Sequence, residues 1–197
     1  MSALFDKVSR LFEAGHAAAP PRLWLDPRIT SMTRFKPASV LVAITERERP
    51  GLLMLHRPSN MRAHPGQVAF PGGKRDPGET VVEAALREAH EELGIPPHAV
   101  RVIGTSDVYR SGSGYEIAPV LGVVPPDIEI QPNPTEVAQW FEAPVDFVLD
   151  PANQKTLSMQ VEHTTRQYIE IMWQEHRIWG VTGAIIHNLT KRLNWLG

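Results

Sequence analysis

Residues 73–95 read GKRDPGETVVEAALREAHEELGI and contain the most clearly bounded element in the sequence. Thr80 is followed three residues later by Glu83, which is the capping-box pattern of a helix N-terminus. Gly94 and the prolines that follow it are typical of a helix C-terminus. The pattern therefore predicts a helix that opens at Thr80 and closes at Gly94.

Three glutamates share one face of this helix. At about 100° per residue, Glu88, Glu91 and Glu92 fall within about a third of the circumference. Apolar residues fill the adjoining arc, so the helix can pack on a sheet while presenting carboxylates along its edge. Like charges at i and i+4 cost about 0.2–0.5 kcal/mol per pair, and a bound cation would turn that repulsion into ligation. For such a helix taken alone, the alternative is a solvated acidic face.

The segment before the helix is a long loop in the middle of the domain. Residues 39–45 (SVLVAIT) and 52–57 (LLMLHR) predict two antiparallel strands. Residues 58–79 then hold four prolines and four glycines, and long loops of this kind are usually functional. Further strands are predicted at 100–106, 115–124, 137–141 and 167–173, with a short helix at 144–149 and a terminal helix at 179–196. The residues alone indicate an α+β domain.

The N-terminal segment differs from the main domain in its sequence pattern. Residues 1–19 carry apolar side chains at helical spacing with charged residues between them, which predicts an amphipathic helix and not a signal peptide. Residues 16–37 read as an irregular connector. We therefore divide the chain into an N-terminal helix and connector arm, 1–35, and a main domain, 36–197.

Composition limits the function. The 197 residues are 42% hydrophobic, which suffices for one core. Charges nearly balance, with 20 Lys+Arg and 22 Asp+Glu and a net charge of -2, so we expect no nucleic acid partner. Cysteine is absent, so a metal would be held by oxygen or imidazole. No segment has the roughly 20 apolar residues of a membrane span, and we expect a cytoplasmic protein without a membrane partner.

The helix and the loop before it resemble a known family. The pattern G-x5-E-x7-R-E-U-x-E-E-x-G-U is that of the Nudix hydrolases. The specified positions are filled by Gly73, Glu79, Arg87, Glu88, Glu91, Glu92, Gly94 and Ile95. Seven specified identities arise by chance on the order of 10⁻⁸ per starting position. Ala89 departs from the pattern, because the family usually has a larger aliphatic residue there.

The resemblance implies a fold and a metal site. The family fold is an α/β/α sandwich around a mixed β-sheet. Its members bind Mg²⁺ or Mn²⁺ through carboxylates matching Glu88 and Glu92, helped by the one matching Glu91 and by the backbone carbonyl of Gly73. Hard oxygen ligands that leave several waters in place suit Mg²⁺. The residues matching Glu79 and Arg87 commonly pair to brace the loop, so their role is structural.

The resemblance also implies the reaction, which is hydrolysis of a diphosphate in a small-molecule nucleoside diphosphate derivative. The proton of the attacking water needs an acceptor. Glu91 is one candidate base, Glu136 in a later loop is another, and Glu88 belongs to the same catalytic group. The sequence does not choose between Glu91 and Glu136.

The substrate is suggested by residues 53–73, LMLHRPSNMRAHPGQVAFPGG. They resemble the signature of the coenzyme A pyrophosphatase branch, which implies cleavage to 3',5'-ADP and 4'-phosphopantetheine. Arg57 and Arg62 match this signature, and their planar donor groups suit phosphate oxygens. The alternatives are hydrolysis of ADP-ribose, dinucleotides or nucleoside triphosphates, and a non-catalytic Nudix-like binding module. The oligomeric state is not readable, and a homodimer is one option.

Overall fold

A computed structural model describes residues 2–19, 21–59, 66–161 and 164–196. Its α-helices are α1 (Ala3–Ala17), α2 (Val81–Leu93), α3 (Val145–Val148) and α4 (Gly180–Leu193). The large sheet contains β1 (Lys36–Thr45), β2 (Gly51–His56), β3 (Val68–Ala69), β4 (Gly72–Lys74), β5 (Arg101–Thr105), β6 (Tyr109–Arg110), β7 (Tyr115–Val124) and β8 (Gln139–Pro144). A smaller sheet contains β9 (Lys155–Val161), β10 (Thr164–Trp173) and β11 (His176–Trp179).

The large sheet is mixed, as the family resemblance implied. The strand order is β3-β2-β1-β7-β5, while β4 pairs with β1, β6 with β7 and β8 with β2. β1 and β7 run parallel from the Lys36–Tyr115 pair to the Thr45–Val124 pair, and the other pairings are antiparallel. Both strands are almost continuously apolar because they lie at the centre of the sheet and are covered on both faces.

Helices cover the two faces of this sheet. Successive residues of a strand point to opposite faces, so Leu41 packs with Ala89 of α2, whereas Val42 belongs to the cluster that holds Ile185 of α4 and Val8 of α1. Each fully buried Leu or Ile of these layers contributes about 1.5–3 kcal/mol. The predicted α+β class with a mixed sheet is therefore confirmed.

The N-terminal segment packs directly on the rest of the chain. Val8 is fully buried in the core, and the carbonyl of Gly15 accepts a hydrogen bond from Arg192 in α4 at 2.8 Å. Farther along, the backbone of Trp24 is held from both sides by the amide of Asn188, at 2.7 and 3.1 Å. These contacts fasten both the first helix and the following connector to α4.

Element boundaries shift from the predicted ones at several places. β1 begins at Lys36, earlier than the predicted 39, and the predicted strand 137–141 is found at Gln139–Pro144. β4, β6, β9 and β11 were not predicted. Among the described residues, no helix combines the length and apolar content that a bilayer crossing requires.

Candidate active site

α2 forms where the sequence places it. Thr80 Oγ1 accepts a hydrogen bond from the Glu83 backbone N–H at 3.2 Å, and the Glu83 carboxylate accepts one from the Thr80 N–H at 2.8 Å. At the other end, Gly94 adopts φ 69°, a left-handed conformation that glycine enters without steric cost. The capping box and the Gly94 cap fix the limits of the helix, and with them the directions of its glutamates.

Glu92 is the most enclosed acid of this helix. The residue is 5% exposed, and its carboxylate accepts a hydrogen bond from the Gly72 backbone N–H at 2.8 Å. Burial raises the pKa of the Glu92 carboxyl to about 8, although the Gly72 N–H and the charge of Arg57 act in the opposite direction. The groups around Glu92 therefore stabilise its ionised form less than water would.

Glu88 lies one turn earlier and beside the backbone of Gly73. A Cβ at position 73 would collide with the Glu88 carboxylate, so a larger residue there would displace this side chain. The Glu88 side chain is 14% exposed and pairs with Arg87 at 3.0 Å. Burial raises the pKa of the Glu88 carboxyl, and this effect outweighs the opposing effect of Arg87. Two carboxylates that are costly to ionise thus lie on one edge of α2.

Arg87 ties the loop to the helix. Its guanidinium donates to Glu79 at 2.7 Å and to the carbonyl of Lys74 at 3.1 Å, and it also contacts Glu88 and Glu91. Hydrogen bonding to Arg87 lowers the pKa of the Glu79 carboxyl to about 2. The two residues for which the resemblance implied a bracing role, Glu79 and Arg87, are therefore in contact.

Glu91 is more exposed than Glu88 and Glu92. Its side chain is 48% exposed and pairs with Arg87 at 2.9 Å. It does not line the cavity that contains Glu88 and Glu92. A direct part for Glu91 in metal binding or proton transfer stays a prediction.

A cavity of about 410 Å³ opens beside α2. Glu88, Glu92, Gly73, Glu136 and Arg57 lie along its polar part. Its remaining wall is largely apolar and is formed by side chains of β1, β3, β7, β11 and α4, among them Val40, Val68, Tyr115, Ile117, Trp179, Val181 and Ile185. The structure therefore brings together five of the residues that the sequence singled out. Arg62 lies outside the described residues.

The polar part of the cavity has the donors that a hard divalent cation prefers. Glu88 and Glu92 supply carboxylate oxygens, and Gly73 supplies a backbone carbonyl. The raised pKa of each carboxyl indicates that a cation here would offset a charge that burial disfavours. Within the described ranges, no three acidic or imidazole side chains already form a complete metal site. The fit therefore rests on donor chemistry.

The apolar wall is the part of the site that sequence reasoning missed. Tyr115 and Ile117 are two residues apart on β7 and both face the cavity. Strand alternation could have placed these two on one face. Trp179 reaches the cavity from the end of β11, and no local pattern signals that placement.

Comparisons with known proteins agree with this geometry. A model of the NUDIX domain family matches residues 35–160. The Nudix hydrolase NudL of Enterobacter sp. (strain 638) is 42% identical over 159 residues, covering 79% of this chain and 82% of that protein. NudL of Escherichia coli O6:H1 (strain CFT073) is 38% identical over 171 residues, covering 86% of this chain and 89% of that protein.

Solved structures share the fold. The Nudix hydrolase RenU of M. smegmatis superposes with a TM-score of 0.50 and 25% identity, covering 58% of this chain and 74% of that one. A MutT/nudix family protein of Enterococcus faecalis superposes with a TM-score of 0.51 and 12% identity, covering 98% of this chain and 74% of that one. The family match and the NudL relatives show that the chain belongs to the Nudix family and is a Nudix pyrophosphohydrolase.

Proposed function

We propose that this enzyme uses Mg²⁺ or Mn²⁺ to cleave the diphosphate of coenzyme A or its derivatives, giving 3',5'-ADP and 4'-phosphopantetheine. One observation carries the proposal: a single cavity joins the Glu88 and Glu92 carboxylates, the Arg57 guanidinium and a long apolar wall. Coenzyme A has a matching sequence of groups, because its diphosphate links a phosphorylated nucleoside to an uncharged pantetheine arm.

The carboxylate end suits the diphosphate. Glu88, Glu92 and the carbonyl of Gly73 would hold the cation. When bound, divalent cations neutralise the charge of the diphosphate and make the attacking water more acidic. Glu92 is held in place by the Gly72 N–H, so its carboxylate is oriented before any ligand enters. The Arg87 contact orients Glu88 in the same way.

Glu136 is the base that we favour. It lines the cavity together with Glu88 and Glu92, and its negative charge contributes to raising the pKa of both carboxyls. It is also exposed, so its carboxylate can reach a water beside the diphosphate. Glu91 does not line the cavity, and it shares the Arg87 Nη1 donor with Glu88.

Arg57 supports recognition of an anionic substrate. It lines the cavity, and its Nε is buried without a hydrogen-bond partner among the described residues. A buried donor that lacks a partner costs about 1–3 kcal/mol. A phosphate oxygen in the cavity would accept a charge-assisted hydrogen bond from the Arg57 guanidinium. The sequence likeness of residues 53–73 to the coenzyme A branch points to the same substrate.

A substrate panel tests the proposal. Coenzyme A, ADP-ribose, a dinucleoside polyphosphate and a nucleoside triphosphate are each incubated with the enzyme and with Mg²⁺ or Mn²⁺, and the products are identified by mass spectrometry. We expect 3',5'-ADP and 4'-phosphopantetheine from coenzyme A, with the highest kcat/KM of the panel. Efficient cleavage of ADP-ribose with coenzyme A left intact would overturn the substrate assignment and leave the Nudix chemistry in place.

A further inference from the structure

Asn133 occupies a junction between α2 and the loop that carries Glu136. Its backbone N–H donates to the carbonyl of Glu92 at 2.9 Å, and the N–H of Gln131 donates to the carbonyl of Leu93 at 2.9 Å. These bonds satisfy carbonyls in the last turn of α2, which have no partner within a helix. The loop is thereby attached to the helix at the residue that lines the cavity.

The Asn133 side chain organises the loop itself. Its Oδ1 accepts hydrogen bonds from the Thr135 backbone N–H at 3.1 Å and from Thr135 Oγ1 at 2.8 Å. Because a backbone N–H can only donate, this contact fixes which amide atom is the oxygen. The amide nitrogen must then face the other way, where it lies 3.4 Å from Glu136 Oε1. The Asn133 carbonyl also accepts from the N–H groups of Glu136 and Val137, at 3.0 and 2.8 Å.

The Glu136 carboxylate needs such a contact to stay where it is. Glu88 and Glu92 lie in the same cavity, and each repels the Glu136 carboxylate when it is ionised. Glu136 is exposed, and its side chain could swing into solvent at little cost. Among the residues that the structure describes, Asn133 is the side chain that donates a hydrogen bond to it.

We propose that Asn133 is a positioning residue, which holds the Glu136 carboxylate toward the cavity and keeps that loop attached to the end of α2. The inference rests on the role of Glu136 in the function proposed above. Asn133 itself takes no part in the chemistry, because its amide is engaged on both sides by Thr135 and Glu136. Its effect should therefore appear in kcat and disappear when Glu136 is neutralised.

The test is Asn133→Asp in the full chain. An aspartate keeps an oxygen that accepts from Thr135, but it puts a negative oxygen where the amide donor faced Glu136. We expect kcat to fall about tenfold, since the contact that is lost is made to the charged Glu136. KM should stay within about twofold, because Asn133 does not bind the substrate. Asn153→Asp is the matched control. It makes the same chemical change at an amide that donates to the carbonyl of Phe147, away from the cavity.

A double-mutant cycle separates positioning from a general structural effect. In the Glu136→Gln background, Asn133→Asp should lower kcat by less than about twofold. Asn133→Ser provides a second variant if the aspartate fails to fold, since it keeps an oxygen for the turn, cannot reach Glu136 and adds no charge. Its kcat should fall by less than that of the aspartate, and its thermal midpoint should match that of the parent.

Two results would overturn the proposal. One is an equal loss of kcat from Asn133→Asp with and without Glu136, which would mean that Asn133 acts on the fold alone. The other is a Glu136→Gln variant with unchanged kcat, which would leave Asn133 nothing to position. The cycle is measured with whichever diphosphate the unmutated enzyme cleaves. The proposed substrate is tested separately, by the product assay on coenzyme A.

Discussion

Glu91 and Glu92 are neighbours in the chain, but Glu92 lines the cavity while Glu91 pairs with Arg87 at 2.9 Å on the exposed side of α2. Consecutive residues of a helix are about 100° apart. Ala89 marks the buried side of α2, and it lies about 60° from Glu92 but about 160° from Glu91. Packing of α2 on the sheet therefore turns one glutamate inward and the other outward.

This arrangement predicts which acid accepts the proton. Glu136→Gln removes a carboxylate that faces the cavity and keeps its shape, so kcat should fall by roughly a hundredfold or more, within the range of general base catalysis. Glu91→Gln should have a smaller effect, because Glu91 is directed toward Arg87. Steady-state kinetics on the preferred substrate compare the two variants. A larger loss of kcat in Glu91→Gln would identify Glu91 as the general base.

Arg57 should bind the phosphates of the substrate. Arg57 lines the cavity, and its Nε is buried without a partner among the described residues. Arg57→Ala should lower kcat/KM by roughly ten- to a hundredfold, and Lys should rescue only part of the loss because an ammonium lacks the planar pair of donors. We compare coenzyme A with ADP-ribose, which has the diphosphate but no 3'-phosphate.

The outcome of that comparison assigns the contact. Equal losses on both substrates would place Arg57 on the shared diphosphate, whereas a loss confined to coenzyme A would place it on a group that ADP-ribose lacks. Unchanged kinetics on both would contradict a substrate contact. Arg62, the other arginine of the signature, can be tested in parallel, although it lies outside the described residues.

Arg87 should support the site without contacting the substrate. It contacts Glu79, Glu88, Glu91 and the carbonyl of Lys74 at once. Lys cannot span these partners with a single ammonium, so Arg87→Lys should lower activity by about tenfold or more and should do so equally for coenzyme A and ADP-ribose. Parallel kcat/KM measurements check this. A loss on one substrate alone would argue against a bracing role.

The contact between Asp107 and Arg192 should make stability depend on pH. Arg192 is 6% exposed and donates to both oxygens of Asp107, at 2.6 and 2.8 Å. Hydrogen bonding to Arg192 lowers the pKa of the Asp107 carboxyl. A carboxyl whose pKa is lowered by folding stabilises the protein above its unfolded pKa of about 3.9, and that stabilisation is lost as pH falls through the folded value.

Asp107→Asn tests this by thermal unfolding between pH 3 and pH 7. Asp107→Asn removes the charge that pairs with the buried Arg192 guanidinium, and because the Asp107 side chain is 23% exposed, we expect a loss of about 2 kcal/mol at pH 7. The difference from the parent should narrow below about pH 4. Glu116→Gln is the control, because its pair with Arg110 is exposed and should contribute less than about 1 kcal/mol. A constant difference at every pH would contradict the ion-pair explanation.

The sequence predicted the parts of the fold whose signals are local. The capping box and Gly94 mark α2 within one residue of its observed ends. The spacing of Glu88 and Glu92 predicted carboxylates on one edge of a packed helix, and the structure has them there. The positions of the apolar residues around the helix also indicate that Glu92 faces inward and Glu91 outward, since Ala89 is nearer to Glu92.

Other features depend on contacts between distant residues and have no local signal. β9 is a mostly exposed strand of polar and apolar residues, and it is held by pairing with β10, so its own pattern does not predict it. Trp179 reaches the cavity because β11 and α4 meet there. Val8 of the first helix is fully buried against the core, and no local pattern identifies the distant residues that cover it.

Glu92 provides the most direct test of the account. Glu92→Gln keeps the acceptor for the Gly72 N–H and the shape of the side chain, but removes the charge that a cation would offset. Release of 3',5'-ADP from coenzyme A is measured for the parent and for this variant at saturating Mg²⁺, with circular dichroism and thermal unfolding to confirm the fold. We expect the folded variant to lose several orders of magnitude in kcat/KM. A folded Glu92→Gln enzyme with near-parental turnover would contradict the placement of the catalytic centre in this cavity.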